Sequence, residues 1–347
     1  MRARALILDK FEAPLRSGYI DVQEPGDDES VLIKVVGAGM CKSDIGLWKG
    51  MWYPTRPNKL PFVLGHENAG IIEKVGKRVK GFDVGDKVLV YAIWPDPTCK
   101  YYSVGKYMQC PDQSIPGQIN YYGGYAEYLY VPSYRFLVKI DIDPVIAAPL
   151  ADAGLTSYSA VKKTLPYLYP GSSVLVYGVG GLASYAIQFL AHMAPYTTII
   201  ASSRSSDKLK WAKELGAHYA VYPNELASLV KNITDGGVSA VIDLVGTEES
   251  ARTVVHLLEP GGAVILVGME GKEYPMPVFE STVWQYAVIG SNYGTIDEMK
   301  EMVRLVKDKG IKSYIEKIPL EEGAVNDALN KLAEGKVLGR FVITPGS

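Results

Sequence analysis

Cysteine and histidine, the side chains that bind zinc most readily, are few in this chain of 347 residues, with 3 Cys and 4 His, and two of them lie in glycine-rich segments. Cys41 belongs to the run Gly-Met-Cys-Lys-Ser-Asp at 39–44, and His66 belongs to Leu-Gly-His-Glu-Asn-Ala-Gly at 64–70. Thiolate and imidazole groups are preferred zinc ligands, although a single cysteine is commonly just a small buried apolar residue. Surface or core roles are expected for the three other histidines, His192, His218 and His256.

A second candidate for chemistry is a glycine-rich segment that leaves an apolar strand and enters an apolar helix. It reads Gly178-Val-Gly180-Gly181-Leu182-Ala183. Gly178 permits a tight turn, Gly180 lets the backbone approach a pyrophosphate, and Ala183 allows close packing of helix on strand. The helix N-terminus would bind the phosphates through its free N–H groups and its dipole. A glycine-rich packing turn is the alternative, but the strands and helices that follow favour a dinucleotide site.

The end of the next strand indicates which dinucleotide is bound. NAD-binding proteins usually place Asp or Glu there, where it binds the adenosine ribose hydroxyls. This chain has Ser203 and Arg204 instead, and Asp207 lies beyond the tip, where the next helix is expected to begin. A guanidinium offers a charge-assisted fork to phosphate oxygens. The tip therefore favours NADP(H) over NAD(H), and the alternative is that Arg204 is simply solvated.

Two patterns of secondary structure must position these groups. Up to about residue 150, short β-like runs separated by Gly and Pro turns predict a β barrel with long loops; examples are 31–36, 70–75, 86–91 and 126–131. From about 155 to 290, apolar strands alternate with helical segments, as in a parallel sheet of βαβ units; the strands are 173–177, 198–201, 240–245 and 262–267. The tail from Met299 contains a helix and a strand at 340–343 that could return to the first domain.

Bulk composition excludes several classes of function. The chain is 48% hydrophobic and 21% charged, with a formal net charge of −2, so electrostatics give no reason to expect nucleic acid or an anionic membrane as a partner. No apolar run is long enough for a membrane span. The first ten residues predict a strand rather than a signal peptide, which favours a cytoplasmic enzyme. Three cysteines do not make a disulfide framework.

The motifs resemble one protein family over essentially the whole chain. In order they are Gly39-x-Cys41-x-Ser43-Asp44, Gly65-His66-Glu67, the runs at 81–88, 124–128 and 148–156, and the Gly178 segment. The chain is similar to the zinc-containing alcohol dehydrogenases of the medium-chain dehydrogenase/reductase superfamily. The resemblance implies an α/β protein with a GroES-like β-barrel catalytic domain at 1–154, completed by 291–347. A Rossmann domain with a doubly wound parallel sheet is expected at 155–290.

The resemblance also implies a catalytic zinc with three protein ligands and one open position. Cys41 and His66 match the first two ligands. Many relatives have cysteine at the third position, where this chain has Asp152. A carboxylate is an acceptable zinc ligand. The expected metal set is therefore Cys41, His66 and Asp152.

Three neighbours are expected to have catalytic roles by resemblance. Glu67 would coordinate the metal transiently during ligand exchange. Asp44 would accept a hydrogen bond from His66 and fix its tautomer. Ser43 would take the proton of the alcohol. Many relatives pass this proton to a histidine three residues further on, but Gly46 occupies that position, so water or cofactor hydroxyls must complete the relay.

The expected cofactor-binding residues come from several segments. Strand ends should border the nicotinamide, Thr156 should pack behind it, and Lys42 and Arg340 match positions that contact the phosphates; plain solvated charge is the alternative for the last two. The full set is Lys42, Thr156, Gly178, Gly180, Gly181, Leu182, Ser203, Arg204, Leu244, Val267, Gly268, Ser291, Tyr293 and Arg340.

A second, structural zinc is expected to be absent. Many relatives hold it with four close ligands, and Asp96, Cys99 and Cys110 fit three of those positions. Tyr102 stands at the fourth, and a neutral tyrosine is a poor ligand for a closed site. Cys99 and Cys110 could instead form a disulfide or hold a residual metal.

The expected activity is the reversible oxidation of a primary or secondary alcohol to an aldehyde or ketone with NADP(H) or NAD(H). The substrate site should include Leu47, Trp48, Trp94, Ile115 and Tyr121, which favours a bulky apolar substrate. The alternatives are an NADPH-dependent enone or quinone reductase of the same superfamily and a non-catalytic dinucleotide-binding protein. The resemblance also implies a homodimer or homotetramer, formed through the edge strand near Trp284–Ile289.

Overall fold

A computed structural model describes residues 1–51 and 60–346 of the chain. They divide into two compact units, of which the first comprises the described residues within 1–153, 295–307 and 313–346 and the second comprises 154–294 and 308–312. The elements up to residue 147 are β1 (Arg2–Ile7), β2 (Arg16–Asp21), β3 (Val31–Gly39), α1 (Lys42–Trp48), β4 (Glu67–Val75), β5 (Lys87–Val90), β6 (Trp94–Pro95), β7 (Gln113–Pro116), β8 (Asn120–Tyr121), β9 (Tyr128–Val131), β10 (Leu137–Lys139) and α2 (Pro144–Ala147).

From residue 153 to the end of the last strand, helices and strands alternate along the chain. In order these are α3 (Ala153–Thr164), β11 (Ser173–Tyr177), α4 (Gly181–Met193), β12 (Thr198–Ser202), α5 (Ser206–Glu214), β13 (Tyr219–Val221), α6 (Leu226–Ile233), β14 (Val238–Asp243), α7 (Glu248–Val255), β15 (Leu258–Leu266), α8 (Val278–Val283), β16 (Ala287–Gly290), α9 (Ile296–Lys309), β17 (Ile315–Pro319), α10 (Glu322–Ala333) and β18 (Arg340–Thr344). Short 3₁₀ turns occupy Tyr107–Gln109, Tyr134–Phe136, Ala148–Ala151, Leu165–Tyr167 and Pro223–Glu225.

The first unit is built on a seven-stranded sheet in the order β10-β5-β4-β3-β18-β17, with β9 also paired to β3. The predicted strands at 31–36, 70–75, 86–91 and 126–131 all lie within or overlap strands of this sheet. β3 and β4 run antiparallel, and their register pairs Gly39 with Glu67. That pairing matters for chemistry, because it brings the residues just after β3 beside those just before β4. β18 adds Val342 opposite Gly39 on the other side of β3.

The second unit contains a six-stranded parallel sheet in the order β13-β12-β11-β14-β15-β16. Every residue of β11 and β14 is buried, as expected for central strands covered on both faces. The order reverses direction on either side of β11, which is the doubly wound Rossmann arrangement. The predicted α/β fold class, with a doubly wound parallel sheet in the second unit, is confirmed.

The carboxyl ends of the parallel strands are tied to one another by backbone hydrogen bonds. Gly178 N donates to Ser202 O at 2.9 Å, and Leu244 N donates to Tyr177 O at 3.0 Å. Gly178 has a φ of +92°, a conformation that glycine adopts without steric cost. The loops that follow β11, β12 and β14 therefore leave one edge of the sheet together, where ligands bind in folds of this type.

Among the described residues, no helix has the length and apolar character needed to cross a membrane.

Candidate functional site

Cys41 lies at the junction of β3 and α1, where the chain leaves the sheet and turns into the helix. Its backbone N–H donates to Asp44 Oδ2 at 2.9 Å, so the Asp44 side chain satisfies a backbone donor at the N-terminus of α1. The adjacent residue, Met40, donates its N–H to Phe341 O of β18 at 2.9 Å. Two neighbouring segments thus fix the position of the cysteine, which is buried.

His66 precedes β4 and is oriented by the same carboxylate. Its Nδ1 lies 3.1 Å from Asp44 Oδ1, and Tyr125 donates its hydroxyl to Asp44 Oδ2 at 2.9 Å. Asp44 is fully buried and accepts from three groups. A donated Nδ1–H leaves the lone pair of the ring on Nε2, which is the arrangement that metal-binding histidines commonly have. The sequence predicted the Asp44 contact; Tyr125 lies in the motif at 124–128, but the sequence did not indicate its bond to Asp44.

Cys41, His66, Glu67 and Asp152 bring their ligand atoms within 4.8 Å of one another, and all four residues are buried. His66 Nε2 lies 3.2 Å from Asp152 Oδ2. Sulfur, imidazole nitrogen and carboxylate oxygen are the donor types that zinc accepts. The structure therefore brings together the three ligands expected from the sequence, Cys41, His66 and Asp152, with Glu67 beside them.

The charges around this cluster also fit a cation. Burial raises the pKa of Glu67 to about 7, although Arg340 opposes the shift. Burial, followed by repulsion from Asp152, raises the pKa of the Cys41 thiol. Glu67 Oε2 is buried and has no hydrogen-bond partner among the described residues. Buried acids need a compensating positive charge, and a divalent ion among these four side chains would supply it.

Arg340 lies beside the cluster as its positively charged neighbour. The guanidinium is 3.1 Å from Glu67 Oε1 and 3.7 Å from Cys41 Sγ. The side chain is 5% exposed, so it is a buried ion-pair partner rather than a solvated charge. Contact with the cofactor phosphates, for which the sequence suggested this residue, stays a prediction.

Ser43 is positioned on the first turn of α1. Its Oγ lies 3.3 Å from His66 Nε2. Gln118 Nε2 approaches the same oxygen at 3.5 Å from the loop between β7 and β8. Gly46, which stands where relatives have a histidine, is buried on the same helix. Gln118 carries no motif, so no sequence signal pointed to it.

The nucleotide-binding residues expected at the first turn of the second unit lie at the N-terminus of α4. A Cβ built on Gly180 would meet no atom within 4 Å, so there is open space beside the helix end. Gly181 and Leu182 begin α4, and their N–H groups belong to its first turn. Open space at a helix N-terminus fits the pyrophosphate of a dinucleotide.

The tip of β12 carries hydroxyl groups and a guanidinium. Ser202 is buried, and its Oγ has no hydrogen-bond partner within the described part of the chain. Ser203 and Arg204 follow it, and Arg204 is exposed. Asp207 lies in the first turn of α5, as the sequence predicted, rather than at the strand end. This tip fits a ligand that offers hydrogen-bond acceptors and negative charge.

Asp243, at the end of β14, organises the other half of the carboxyl edge and was missed at the sequence level. Its Oδ1 accepts from the N–H groups of Val245 and Gly246 at 2.9 and 3.0 Å. Its Oδ2 accepts from Ser250 Oγ at 2.6 Å and from Tyr274 OH at 3.0 Å. Four donors fix the turn that starts with Leu244, one of the residues expected at the nicotinamide.

The remaining predicted cofactor residues have the following places. Val267 and Gly268 follow β15, and their N–H groups donate to Asp243 O, each at 2.9 Å. Ser291 follows β16, and its hydroxyl accepts from Lys163 Nζ at 2.9 Å. Thr156 and Tyr293 are buried, whereas Lys42 is exposed at the start of α1.

The loop that resembles a structural zinc site has only part of a ligand set. Cys99 and Cys110 are free thiols; burial first, and then a hydrogen bond with Cys99, raise the pKa of the Cys110 thiol. Asp96 Oδ1 accepts from the N–H and the hydroxyl of Thr98, both at 2.7 Å. The carboxylate thus turns toward its own loop. The two sulfur atoms are adjacent without being bonded to each other.

Comparison with known proteins identifies relatives for both parts of the chain. Residues 27–142 match the family model described as the alcohol dehydrogenase GroES-like domain. Residues 181–308 match the model described as zinc-binding dehydrogenase.

Full-length relatives agree with these matches. The chain is 45% identical to a D-arabinose 1-dehydrogenase (NADP⁺) of Saccharolobus solfataricus, over 99% of this chain and 98% of the relative. It is 37% identical to an NAD-dependent alcohol dehydrogenase of Sulfolobus acidocaldarius, with 98% and 99% covered. The crystal structure of an alcohol dehydrogenase from Aeropyrum pernix superimposes with a TM-score of 0.91 at 36% identity, covering 99% of this chain and all of that one.

Proposed function

Because the chain belongs to the zinc-containing alcohol dehydrogenase family of the medium-chain dehydrogenase/reductase superfamily, we propose that Cys41, His66 and Asp152 hold its catalytic zinc and that NADP(H) is its preferred cofactor. The chain is an NAD(P)-dependent oxidoreductase that interconverts an alcohol and an aldehyde or ketone. The observation that carries the zinc proposal is the buried cluster of Cys41, His66, Glu67 and Asp152.

The mechanism assigns each part of the cluster a role. A bound zinc would supply a Lewis acid for the alcohol oxygen, and a bound nicotinamide cofactor would supply the hydride acceptor. Asp44 holds the His66 ring with Nε2 toward the cluster. Ser43 Oγ accepts the proton of the substrate O–H, and its place 3.3 Å from His66 Nε2 puts it beside the ligand atoms. With Gly46 in place of a histidine, the proton passes from Ser43 to water.

We propose that the positive charge of Arg340 offsets the negative charge of Glu67 beside the zinc ligands. Their buried ion pair keeps one carboxylate oxygen of Glu67 occupied, while the other has no partner in the described structure. That second oxygen is available for the transient metal contact suggested by the family resemblance. The pair would also keep excess negative charge away from the substrate oxygen.

The experiment for this function is a survey of primary and secondary alcohols with NADP⁺, followed by nicotinamide absorbance, on the zinc-loaded protein. Ser43→Ala should lower kcat by about 100-fold or more, because a positioned general base contributes about 10²–10⁴-fold. Ser43→Thr is the matched control, since it keeps the hydroxyl. Full activity of Ser43→Ala, or activity that survives removal of zinc by a chelator, would contradict the assignment. The second outcome would favour the enone or quinone reductase alternative.

NADP(H) preference is supported by the residues at the tip of β12. Ser203 and Arg204 replace the carboxylate that binds ribose hydroxyls in NAD-dependent proteins, and the relative at 45% identity is NADP⁺-dependent. Relatives at lower identity use NAD.

Arg204→Leu should therefore raise KM for NADP⁺ by about 10-fold or more, which corresponds to losing a charge-assisted bond of about 1.5–3 kcal/mol, while KM for NAD⁺ changes little. The exposed Arg252, on α7 of the same unit, provides the matched control Arg252→Leu. A wild-type protein with lower KM for NAD⁺ than for NADP⁺ would refute the preference.

A further inference from the structure

Gln118 is a buried amide that the mechanism above leaves without a role. Gln118 is 3% exposed, and its side-chain Nε2 lies 3.5 Å from Ser43 Oγ. Ser43 in turn contacts His66 Nε2. The Gln118 amide therefore lies beside the Ser43 hydroxyl, which in turn lies beside the proposed metal ligand His66. A glutamine side chain both donates and accepts hydrogen bonds, so this amide can bond more than one group at a time.

The loop that carries Gln118 is fixed by close backbone packing beside His66. Gly117 has a φ of +74°, and a Cβ built on it would lie 2.5 Å from the N and O atoms of Gly65. Gly117 N donates to Tyr121 O at 2.8 Å, and Gln118 N donates to Ile115 O at 3.0 Å. The loop thus has little freedom to shift the amide away from Ser43.

The aromatic side chains expected at the substrate site offer apolar surface. The Trp94 indole N–H donates to Tyr91 O at 2.6 Å, and the Trp48 indole N–H donates to Ala13 O at 2.7 Å. The Trp94 ring packs edge-on against Tyr121 at a centroid distance of 5.1 Å. Both indole donors are satisfied by backbone carbonyls, so neither Trp48 nor Trp94 offers a free donor to a polar substrate group.

We propose that Gln118 determines substrate specificity by hydrogen-bonding a hydroxyl on the carbon next to the one that is oxidised. This proposal rests on the proposed role of Ser43 in the function above. If the reacting oxygen bonds Ser43 Oγ, a hydroxyl on the neighbouring carbon lies within reach of an amide 3.5 Å from the same atom. The substrate class is therefore a vicinal diol or a sugar in its ring form.

The reaction on such a substrate balances in the same way as for a simple alcohol. At the anomeric carbon of a sugar, the C–H bond breaks with its electron pair going to NADP⁺, and the O–H proton goes to Ser43 and then to water. The C–O bond becomes a carbonyl, which gives a lactone. The neighbouring hydroxyl is unchanged and serves only for recognition.

The test compares substrates that differ only in that hydroxyl. D-arabinose and 2-deoxy-D-ribose form one such pair, since the latter is arabinose without the hydroxyl on carbon 2; butane-2,3-diol and butan-2-ol form a second. The wild-type zinc-loaded enzyme should have a kcat/KM at least about 100-fold higher for the hydroxylated member. Sites built to bond a hydroxyl reject analogues that lack it.

Gln118→Leu should lower kcat/KM for the hydroxylated member by about 100-fold more than for the other member, so that the preference collapses. Gln109→Leu is the matched control, because Gln109 is exposed on the same part of the chain, and it should keep the wild-type ratio. Binding provides an independent measurement: D-arabinose with NADPH should raise the melting temperature of the wild type and of Gln109→Leu, but not of Gln118→Leu. Zinc content should be equal in all three proteins.

Two results would overturn the role of Gln118. One is a wild-type enzyme that oxidises both members of each pair with equal kcat/KM. The other is a Gln118→Leu protein that loses both members by the same factor, which would make Gln118 a support for Ser43 or for the loop. Failure of the proposed function is distinct from both, because the wild type would then oxidise no alcohol of either pair.

Discussion

Asp44 holds two of the three proposed metal ligands in place. It does not belong to the group of ligand atoms, yet it bonds the backbone of Cys41 and the ring of His66 at the same time. One carboxylate thus orients two of the three proposed ligands. Partners of this kind commonly change metal affinity by about 10–100-fold when they are lost.

Tyr125 should matter because it supports Asp44. Tyr125→Phe removes the hydroxyl that donates to Asp44 Oδ2, so we expect zinc affinity to fall by about 10-fold and the free energy of unfolding by about 1–3 kcal/mol. Competition with a chromophoric chelator and denaturant unfolding would measure the two effects. Tyr130→Phe is the control, since that hydroxyl accepts a bond from the exposed Gln23. Unchanged zinc affinity in Tyr125→Phe would show that Asp44 needs no such support.

Among the secondary-structure elements, the paired strands β3 and β4 position the proposed metal ligands. The carboxyl edge of the parallel sheet positions the expected cofactor-binding residues. The register that pairs Gly39 with Glu67 places Cys41 and His66 side by side. In the other unit, the ends of β11, β12, β14, β15 and β16 carry the expected cofactor residues. Both arrangements follow from strand order, and each puts residues far apart in sequence at one edge of a sheet.

Asp243 should act on cofactor affinity through the turn after β14. Asp243→Asn replaces an acceptor oxygen by an NH₂ group that faces donors, among them Ser250 and Tyr274. We expect KM for NADP⁺ to rise by about 10-fold and unfolding to become easier by about 1–3 kcal/mol, because buried donors lose their partner. Kinetics with varied NADP⁺ and thermal unfolding would measure both. Asp235→Asn, at an exposed position, should change neither; equal KM values for Asp243→Asn and wild type would contradict this role.

At the scale of the whole molecule, β16 forms one edge of the six-stranded sheet. Several large apolar side chains next to it are exposed: Val278, Phe279, Trp284 and Val288. An exposed strand edge with an apolar surface is a common site of self-association, and a two-fold axis would pair the same surface on both chains. We therefore propose a homodimer formed through this edge.

Val288→Lys should weaken that dimer by at least about 100-fold in dissociation constant, because it puts two like charges at a two-fold interface. Sedimentation equilibrium would measure the change. Val84→Lys is the control, since Val84 is exposed in the first unit, away from this sheet. A wild-type protein that sediments as a monomer at micromolar concentration would exclude the dimer, and an unaltered Val288→Lys dimer would place its interface elsewhere.

Local motifs were enough to predict the fold class and the main members of the candidate site. Cys41, His66 and the Gly178 segment belong to short motifs, and the residues of each motif are neighbours in sequence, so the sequence alone reveals them. The roles of Gln118, Tyr125 and Asp243 were not predicted, because their importance comes from contacts that join distant parts of the chain. Tyr125, for example, reaches Asp44 across 81 positions, and no periodicity in the sequence marks such a pair.

The zinc content of the purified wild type and of two cysteine variants decides whether Cys41, His66 and Asp152 hold the catalytic metal. Elemental analysis of the wild type should give one zinc per chain. Cys41→Ala should lose that zinc, because it removes a ligand from the buried cluster with His66 and Asp152, while Cys99→Ala should keep it. A wild type without zinc that oxidises alcohols, or zinc retained in Cys41→Ala but lost in Cys99→Ala, would contradict the account.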